Sequence, residues 1–182
     1  MQQHRVDPGR VYVAGLSAGG AQAAIMAAAY PDLFAAVGIH SGLACGVARD
    51  LPSALAAMKQ GPNGALLGPG PTLPTIVFHG DQDRTVNPLN GERIAAQALA
   101  AGAGLKQELE QGRSECGLSY SRAMYADATG RVLLERWTVH GAGHAWSGGS
   151  PDGSFTDPRG PDASREMLRF FLQHPRPVEN AI

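Results

Sequence analysis

The sequence has no excess of charge of either sign: 15 Lys and Arg residues nearly balance 16 Asp and Glu residues, and the net charge is -1. It has no basic stripe, so no feature predicts binding to nucleic acid or to an anionic membrane surface. No apolar run approaches the length of a transmembrane helix, and the first ten residues lack the apolar stretch of a signal peptide. The 182 residues suffice for one domain with a substantial core.

Cysteine is scarce, and the two residues present, Cys45 and Cys116, do not stand in metal-ligand spacing. A disulfide between them would fit an oxidising compartment, whereas two separate thiols would fit a cytoplasmic one, and the sequence leaves both open. Asp81 and Asp83 invite a metal interpretation, but no third or fourth ligand stands near them in the sequence. We therefore expect no metal.

The stretch RVYVAGLSAGGAQAAIMAA, residues 10–28, organises the chain, because its GLSAG pentapeptide fits the G-x-S-x-G nucleophile elbow. The turn brings neighbouring backbone close to the serine, so we expect Gly15 and Gly19 to be required for their lack of bulk. The following helix begins just after Ser17, so its free amides face the position of a developing oxyanion. The pattern predicts that Ser17 is a nucleophile and that the Ala18 N–H is an oxyanion donor.

Strands and helices alternate along the rest of the chain, which predicts a mostly parallel α/β sheet flanked by helices. The first strand is apolar at nearly every position, as is typical of a central strand covered on both faces. Residues 127–130 form a turn signal that predicts a hairpin between the last two strands. Strands are predicted at about 11–14, 34–39, 75–78, 121–126 and 132–139, helices at about 18–29, 51–59, 90–101 and 163–174, and a surface loop at 61–74.

Reactive side chains follow three predicted strands: Ser17, then Asp81 and Asp83, then His140 and His144. The carboxyl ends of parallel strands meet at one edge, and the order Ser, Asp, His is that of α/β hydrolases. Asp83 is favoured as the acid for its place in the loop, while Asp81 is expected to shape the turn. His144, on glycine-flanked backbone, is favoured as the base, and His140 is expected to make a structural hydrogen bond.

Five blocks resemble the C-terminal portion of the poly(3-hydroxybutyrate) depolymerase family esterases: RVYVAGLSAGGAQA, AAVGIHSGLACG, LPTIVFHGDQDRTVNP, WTVHGAGHAWSGG and SFTDPRGPDASREMLRFF. The resemblance implies an α/β-hydrolase fold, with residues 1–182 forming a single partial catalytic domain. It implies that Ser17, Asp83 and His144 act as nucleophile, acid and base. It also implies an often secreted, extracellular enzyme, and the triad needs no cofactor.

Family members are much longer, so the resemblance implies that the sequence is an N-terminally truncated member or a gene model that starts at an internal Met1. The first strands and the loop that donates a second oxyanion amide would then be missing. We expect an exposed edge beside the nucleophile strand. Loss of one oxyanion donor typically lowers the rate by about a hundred- to a thousandfold.

The sequence predicts a serine esterase that hydrolyses a carboxylic ester, which would be a polyhydroxyalkanoate-type polyester or a plant cell-wall feruloyl or acetyl ester. The partner is then an ester substrate, either a polymer or a small ester. Alternatives are a serine peptidase of the same fold and an inactive remnant or binding module. Trp146, Ser41 and Leu43 are candidate substrate-binding residues. Loop packing is an equal alternative for Trp146, and loop capping for Ser41 and Leu43.

Overall fold

A six-stranded sheet dominates the chain, and helices lie on both of its faces. A computed structural model describes residues 6–62, 70, 72–100, 102, 104–115 and 117–177. In chain order the elements are β1 (Tyr12–Leu16), α1 (Ala18–Ala29), β2 (Ala36–His40), α2 (Leu51–Gln60), β3 (Thr75–Gly80), α3 (Leu89–Ala100), β4 (Lys106–Arg113), β5 (Ser119–Ala126), β6 (Val132–Val139), β7 (Trp146–Ser147), β8 (Thr156–Asp157) and α4 (Ala163–Leu172).

The sheet has the strand order β1-β2-β3-β6-β5-β4. Strands β1, β2, β3 and β6 are parallel, whereas β5 and β4 are antiparallel additions beyond β6. Every residue of β2 and β3 is buried, which explains their nearly continuous apolar sequences. The predicted mostly parallel α/β sheet is confirmed.

Strand β1 lies at an edge of the described sheet, which is the exposed edge expected beside the nucleophile strand. It pairs with β2 and with no other strand in the described part of the chain. Ala14 is exposed and the other four residues are half-buried. The apolar sequence of β1 resembles that of β2, yet only β2 lies between two strands.

The predicted hairpin is confirmed as β5 and β6, which pair in antiparallel register. Strand β4 has no counterpart among the predictions. Its sequence KQELEQGR lacks apolar alternation because seven of its eight residues are exposed at the outer edge of the sheet. Charged side chains on such a strand discourage pairing with another molecule. The two-residue strands β7 and β8 form a separate small sheet, which was also not predicted.

Two apolar cores lie on opposite faces of the sheet. Small residues of α1 allow the helix to approach the first face closely, where α3 also packs. Helix α4 covers the second face, and its N-terminus is capped by the Asp162 carboxylate, which accepts from the Arg165 amide at 3.0 Å. None of the helices in the described ranges has the length and apolar character needed to cross a bilayer.

Two predictions fall wholly or partly outside the described residues. Most of the predicted loop 61–74 does so, and so does Cys116, so both alternatives for the two cysteines stand as the sequence left them. Cys45 is half-buried, and burial raises the pKa of its thiol.

Candidate active site

The reactive side chains predicted from the sequence follow the carboxyl ends of three parallel strands of the same sheet. Ser17 follows β1, Asp81 and Asp83 follow β3, and His140 and His144 follow β6. The parallel register places these ends side by side, because the last residue of β1 pairs with the last residue of β2. Open α/β sheets bind ligands at this edge.

Ser17 occupies a strained backbone position at the junction of β1 and α1. Its φ is 58° and its ψ is -119°, a conformation that L-residues rarely adopt. Such strain costs on the order of 1–3 kcal/mol and is concentrated at functional sites. The Ser17 amide donates to the His40 carbonyl oxygen at 2.9 Å, and the Ser17 carbonyl oxygen accepts from the Ala21 amide at 2.9 Å. The amides of Ala18 and of the next two residues precede the first helical bond and are therefore available to an anion.

The close packing at this turn involves a different pair of glycines from the predicted one. A side chain at Gly15 would overlap the backbone carbonyl group of Gly19, so Gly15 is required. A Cβ on Gly19 itself would have no described atom within 4 Å, so the prediction that Gly19 must be small is not met by the described residues. Gly20 takes that place, because its Cβ would lie 2.9 Å from the Gly15 carbonyl oxygen and 3.1 Å from the His40 carbonyl oxygen.

Asp83 and His144 form a buried pair of a carboxylate and an imidazole ring. His144 Nδ1 donates to Asp83 Oδ2 at 2.8 Å. The Asp83 side chain is 0% exposed and the His144 side chain is 14% exposed. The other carboxylate oxygen of Asp83 accepts from the amides of Thr85 and Val86 at 2.9 and 2.8 Å. This arrangement fixes His144 as the Nδ1–H tautomer and leaves its Nε2 lone pair free to accept a proton.

The environment of Asp83 keeps its carboxylate charged. Burial by itself would raise the pKa of the group, but hydrogen bonds from the His79 and His144 rings and from two backbone amides outweigh it. The pKa of Asp83 therefore lies well below its ordinary value. The buried His79 ring reinforces this, because its Nε2 lies 3.5 Å from Asp83 Oδ2 while bonding the Val86 carbonyl oxygen at 2.9 Å.

A second Ser, His and Asp series lies beside the first. His140 Nδ1 is 2.9 Å from Asp81 Oδ2, and His140 Nε2 is 2.8 Å from Ser121 Oγ. Ser121 lies inside strand β5, paired with residues of both β4 and β6, so it has neither the strained turn nor the helix N-terminus of Ser17. Asp81 also accepts from the Gly141 amide at 2.7 Å. The hydrogen bonds of Asp81 and His140 are therefore of the structural kind that we expected for these two residues.

An apolar groove of about 280 Å³ opens beside Ser17. Helices α1 and α2 supply most of its walls, and Leu43 lies in the lining, where the sequence placed it. We did not predict from the sequence that α2 lines the groove. The signal was present, because the apolar residues Leu51, Ala54 and Met58, at i, i+3 and i+7, lie on one face of that helix. Leu51 is 71% exposed, so the pattern reflects an open apolar surface instead of a core contact. The full lining is Ser17, Ala18, Ala21, Gln22, Ile25, Leu43, Leu51, Ala54, Met58 and Val86.

The other two candidate substrate-binding residues lie elsewhere. Ser41, which follows β2 with a positive φ of 46°, is fully buried and does not line this groove. Its amide donates to the Phe78 carbonyl oxygen at 2.9 Å. Trp146 packs on the body of the protein, stacked on the His40 ring at 5.1 Å and donating to Ser164 Oγ at 3.1 Å. The contacts of Trp146 are of the kind that its packing alternative predicts, and a substrate-binding role for Trp146 or Ser41 stays a prediction.

Within the described ranges, Ser17 Oγ makes no hydrogen bond to His144. In a resting enzyme the bond between nucleophile and base is often long and tightens on substrate binding. The same ranges contain no group of three or more His, Cys, Asp or Glu side chains able to hold a metal ion. The chemistry available at this edge is thus a serine hydroxyl, an acid and base pair, and free amides.

The family model described as Esterase PHB depolymerase matches residues 1–107. The chain belongs to this family. It is 33% identical over 153 residues to poly(3-hydroxyalkanoate) depolymerase C of Paucimonas lemoignei, an alignment that covers 78% of this chain and 36% of that protein. The family resemblance in the sequence is therefore confirmed, and the chain spans about a third of the length of this curated relative.

Two solved structures show the fold of this family member. An acetyl xylan esterase from Aspergillus awamori matches with a TM-score of 0.65 and 19% identity, covering 94% of this chain and 62% of that one. A PHB depolymerase from Penicillium funiculosum matches with a TM-score of 0.63 and 18% identity, covering 97% and 55%. At such identities the likeness concerns the fold alone, and it confirms the predicted α/β-hydrolase fold.

Proposed function

We propose that this chain is the catalytic part of a serine esterase that hydrolyses carboxylic esters through Ser17, His144 and Asp83. The observation that carries the proposal is the strained Ser17, held at a helix N-terminus on the same sheet edge as the buried Asp83 and His144 pair. Membership of an esterase and depolymerase family supports the same reaction class.

In the proposed reaction, Ser17 Oγ attacks the ester carbonyl carbon as His144 Nε2 takes the hydroxyl proton. The Ala18 N–H donates to the negative oxygen of the tetrahedral intermediate. His144 returns the proton to the leaving alcohol, and the acyl group stays on Ser17. A water molecule, deprotonated by His144, then releases the acid. Asp83 orients the imidazole and stabilises its charged form throughout.

The groove beside Ser17 supports an apolar acyl or alcohol group as its occupant. Its lining is mainly apolar and carries no formal charge, so a substrate with a charged group at this position would lose hydration without gaining an oppositely charged partner. Both polyester segments and small aliphatic esters fit this chemistry. We propose that the substrate is an ester of this type, either a polymer segment or a small molecule, and that the enzyme acts outside the cell, as the family resemblance implies.

The test is hydrolysis of p-nitrophenyl acetate and butyrate by the wild-type chain and by two serine variants. Ser17→Ala should abolish turnover, while Ser121→Ala should retain it, because Ser121 belongs to the series without an elbow. A fluorophosphonate probe should label the Ser17 peptide and not the Ser121 peptide, as read by mass spectrometry. A folded wild-type chain that neither turns over these esters nor reacts with the probe would refute the proposal for this chain.

A further inference from the structure

His40, at the end of β2, contacts both segments that carry the proposed nucleophile and base. Its carbonyl oxygen accepts from the Ser17 amide at 2.9 Å. Its ring Nε2 accepts from the Ser147 amide at 3.0 Å, three residues beyond His144. The side chain is buried, with 1% of the residue exposed. One residue therefore joins the nucleophile elbow to the loop that carries the base.

The contacts of the ring define its tautomer. Because Nε2 accepts a hydrogen bond from a backbone N–H, it carries no proton, and the proton lies on Nδ1. Nδ1 is 3.2 Å from Ser41 Oγ, which can accept it. The ring is stacked between Phe78 at 5.7 Å and Trp146 at 5.1 Å. Burial, with the neighbouring histidines His79 and His144, lowers the pKa of His40 to about 3, which outweighs the opposing effect of Asp83 and keeps the ring neutral.

The loop that carries His144 is held at both ends. At the second end the His40 ring holds the Ser147 amide, and the neighbouring Trp146 and Gly148 amides donate to backbone carbonyl oxygens. At the first end, the Gln82 amide donates to the Ala142 carbonyl oxygen at 3.0 Å, and Asp81 accepts from the Gly141 amide. At the far end, the Ser147 amide has the His40 ring as its acceptor, and Ser147 is 2% exposed. A buried amide that loses its acceptor destabilises the local backbone, because no water replaces the bond.

We propose that His40 is a positioning residue, whose neutral ring holds the Ser147 amide and thereby sets the distance between His144 and Ser17. This inference rests on the proposed function for its catalytic consequence, although the contact itself is independent of it. Displacing a reacting group by about 1 Å typically lowers the rate by about a hundredfold. His40 thus affects the reaction through His144 and Ser17 and does not touch the reacting atoms.

Two substitutions separate the acceptor from the stacked ring. His40→Phe keeps an aromatic ring between Phe78 and Trp146 but removes the acceptor, whereas His40→Gln keeps an acceptor and removes the ring. We expect His40→Phe to lower kcat for p-nitrophenyl butyrate by about a hundredfold with little change in KM. His40→Gln should recover at least about tenfold of that loss. Rates are normalised to folded protein by circular dichroism.

His174→Phe is the matched control, because His174 is another buried histidine, 1% exposed, that bonds only backbone carbonyl groups away from this edge. It should lower the thermal midpoint without lowering kcat of the folded fraction. Equal kcat losses in His40→Phe and His40→Gln, or a wild-type kcat in His40→Phe, would overturn the inference.

Amide exchange measured by NMR tests the contact between His40 and Ser147 without relying on ester hydrolysis. The Ser147 amide should be protected in the wild-type chain and exchange much faster in His40→Phe. In the wild-type chain alone, nitrogen chemical shifts should show His40 as the neutral Nδ1–H tautomer at pH 5. A charged His40 at that pH or an unprotected Ser147 amide would overturn the inference, whether or not esters are hydrolysed. Absence of hydrolysis in a wild-type chain with both signatures would refute the proposed function alone.

Discussion

Replacement of Asp83 by Asn tests the assignment of the acid with the smallest change of shape. In the wild-type chain the Thr85 and Val86 amides donate to Asp83 Oδ1, and in the variant the Asn carbonyl oxygen can accept the same two bonds. Its NH2 group would replace Oδ2 and face His144 Nδ1, which at present donates to that oxygen at 2.8 Å. Two donors cannot share a hydrogen bond, so His144 would change tautomer and carry its proton on Nε2, where the base needs a lone pair.

The loss also includes a buried charge interaction. Unit charges separated by 2.8 Å interact by about 6 kcal/mol at an effective dielectric constant of about 20. A substitution of this kind in a characterised serine protease lowers kcat by about 10⁴-fold, or about 5.4 kcal/mol. We therefore expect Asp83→Asn to lower kcat for p-nitrophenyl acetate by about 10⁴-fold.

Asp81→Asn is the matched control, because Asp81 is a carboxylate on the same loop with its own histidine partner. It is 34% exposed and pairs with His140, which is 40% exposed, so solvent screens the interaction. We expect a loss of less than about tenfold in kcat. If Asp81→Asn were as damaging as Asp83→Asn, or if Asp83→Asn kept more than a tenth of the wild-type kcat, the assignment of the acid would be wrong.

Three further predictions concern the elbow, the acid stability and the groove. Gly15→Ala should destabilise the chain strongly because its Cβ would overlap backbone, whereas Gly19→Ala should retain activity and raise the free energy of unfolding in urea by about 0.5–1 kcal/mol. The depressed pKa of Asp83 should contribute stability that is fully present above its unfolded value of about 3.9 and is lost as pH falls through the folded-state pKa. Urea titrations below pH 4 should therefore show a flatter pH dependence for Asp83→Asn than for the wild type. Ala54→Phe should fill the groove and lower kcat/KM for p-nitrophenyl butyrate relative to acetate by about tenfold, while Leu55→Phe, on the same helix outside the groove lining, should not.

Each of these predictions has an outcome that contradicts its reasoning. Equal unfolding midpoints for the two glycine variants would show that the elbow tolerates a side chain at Gly15. An unchanged acid dependence in Asp83→Asn would mean that other carboxylates account for the acid loss of stability. An unchanged ratio of butyrate to acetate hydrolysis in Ala54→Phe would place the acyl group outside the groove.

The sequence alone determined those features that arise from local patterns. A run of apolar residues, a serine between glycines and an alanine-rich segment define a strand, a turn and a helix, because these depend on residues close together in the chain. The hairpin around residues 127–130 is local for the same reason. The order of Ser17, Asp83 and His144 indicated the α/β-hydrolase fold, since parallel strands bring their carboxyl ends to one edge.

Other features were decided by contacts between distant segments. Strand β4 is recognisable only from its pairing with β5, because its exposed position selects polar residues that carry no strand pattern. The groove is lined by residues of both α1 and α2, and neither helix alone predicts it. Similarly, His140 and His144 are four residues apart in the sequence, and the tertiary structure alone pairs His140 with half-buried Asp81 and His144 with buried Asp83.

Ser17, Asp83 and His144 could be selected as candidates because each residue type is chemically suited to its task and stands after a strand. His40 could not be given its place from the sequence, since a buried histidine at a strand end has no distinguishing local pattern. The role proposed for His40 depends on its hydrogen bond with Ser147, which lies 107 positions away in the sequence. Sequence periodicity reports which elements form and which faces are apolar. Hydrogen-bond partners and burial depend on how those elements pack, and only the tertiary structure decided them.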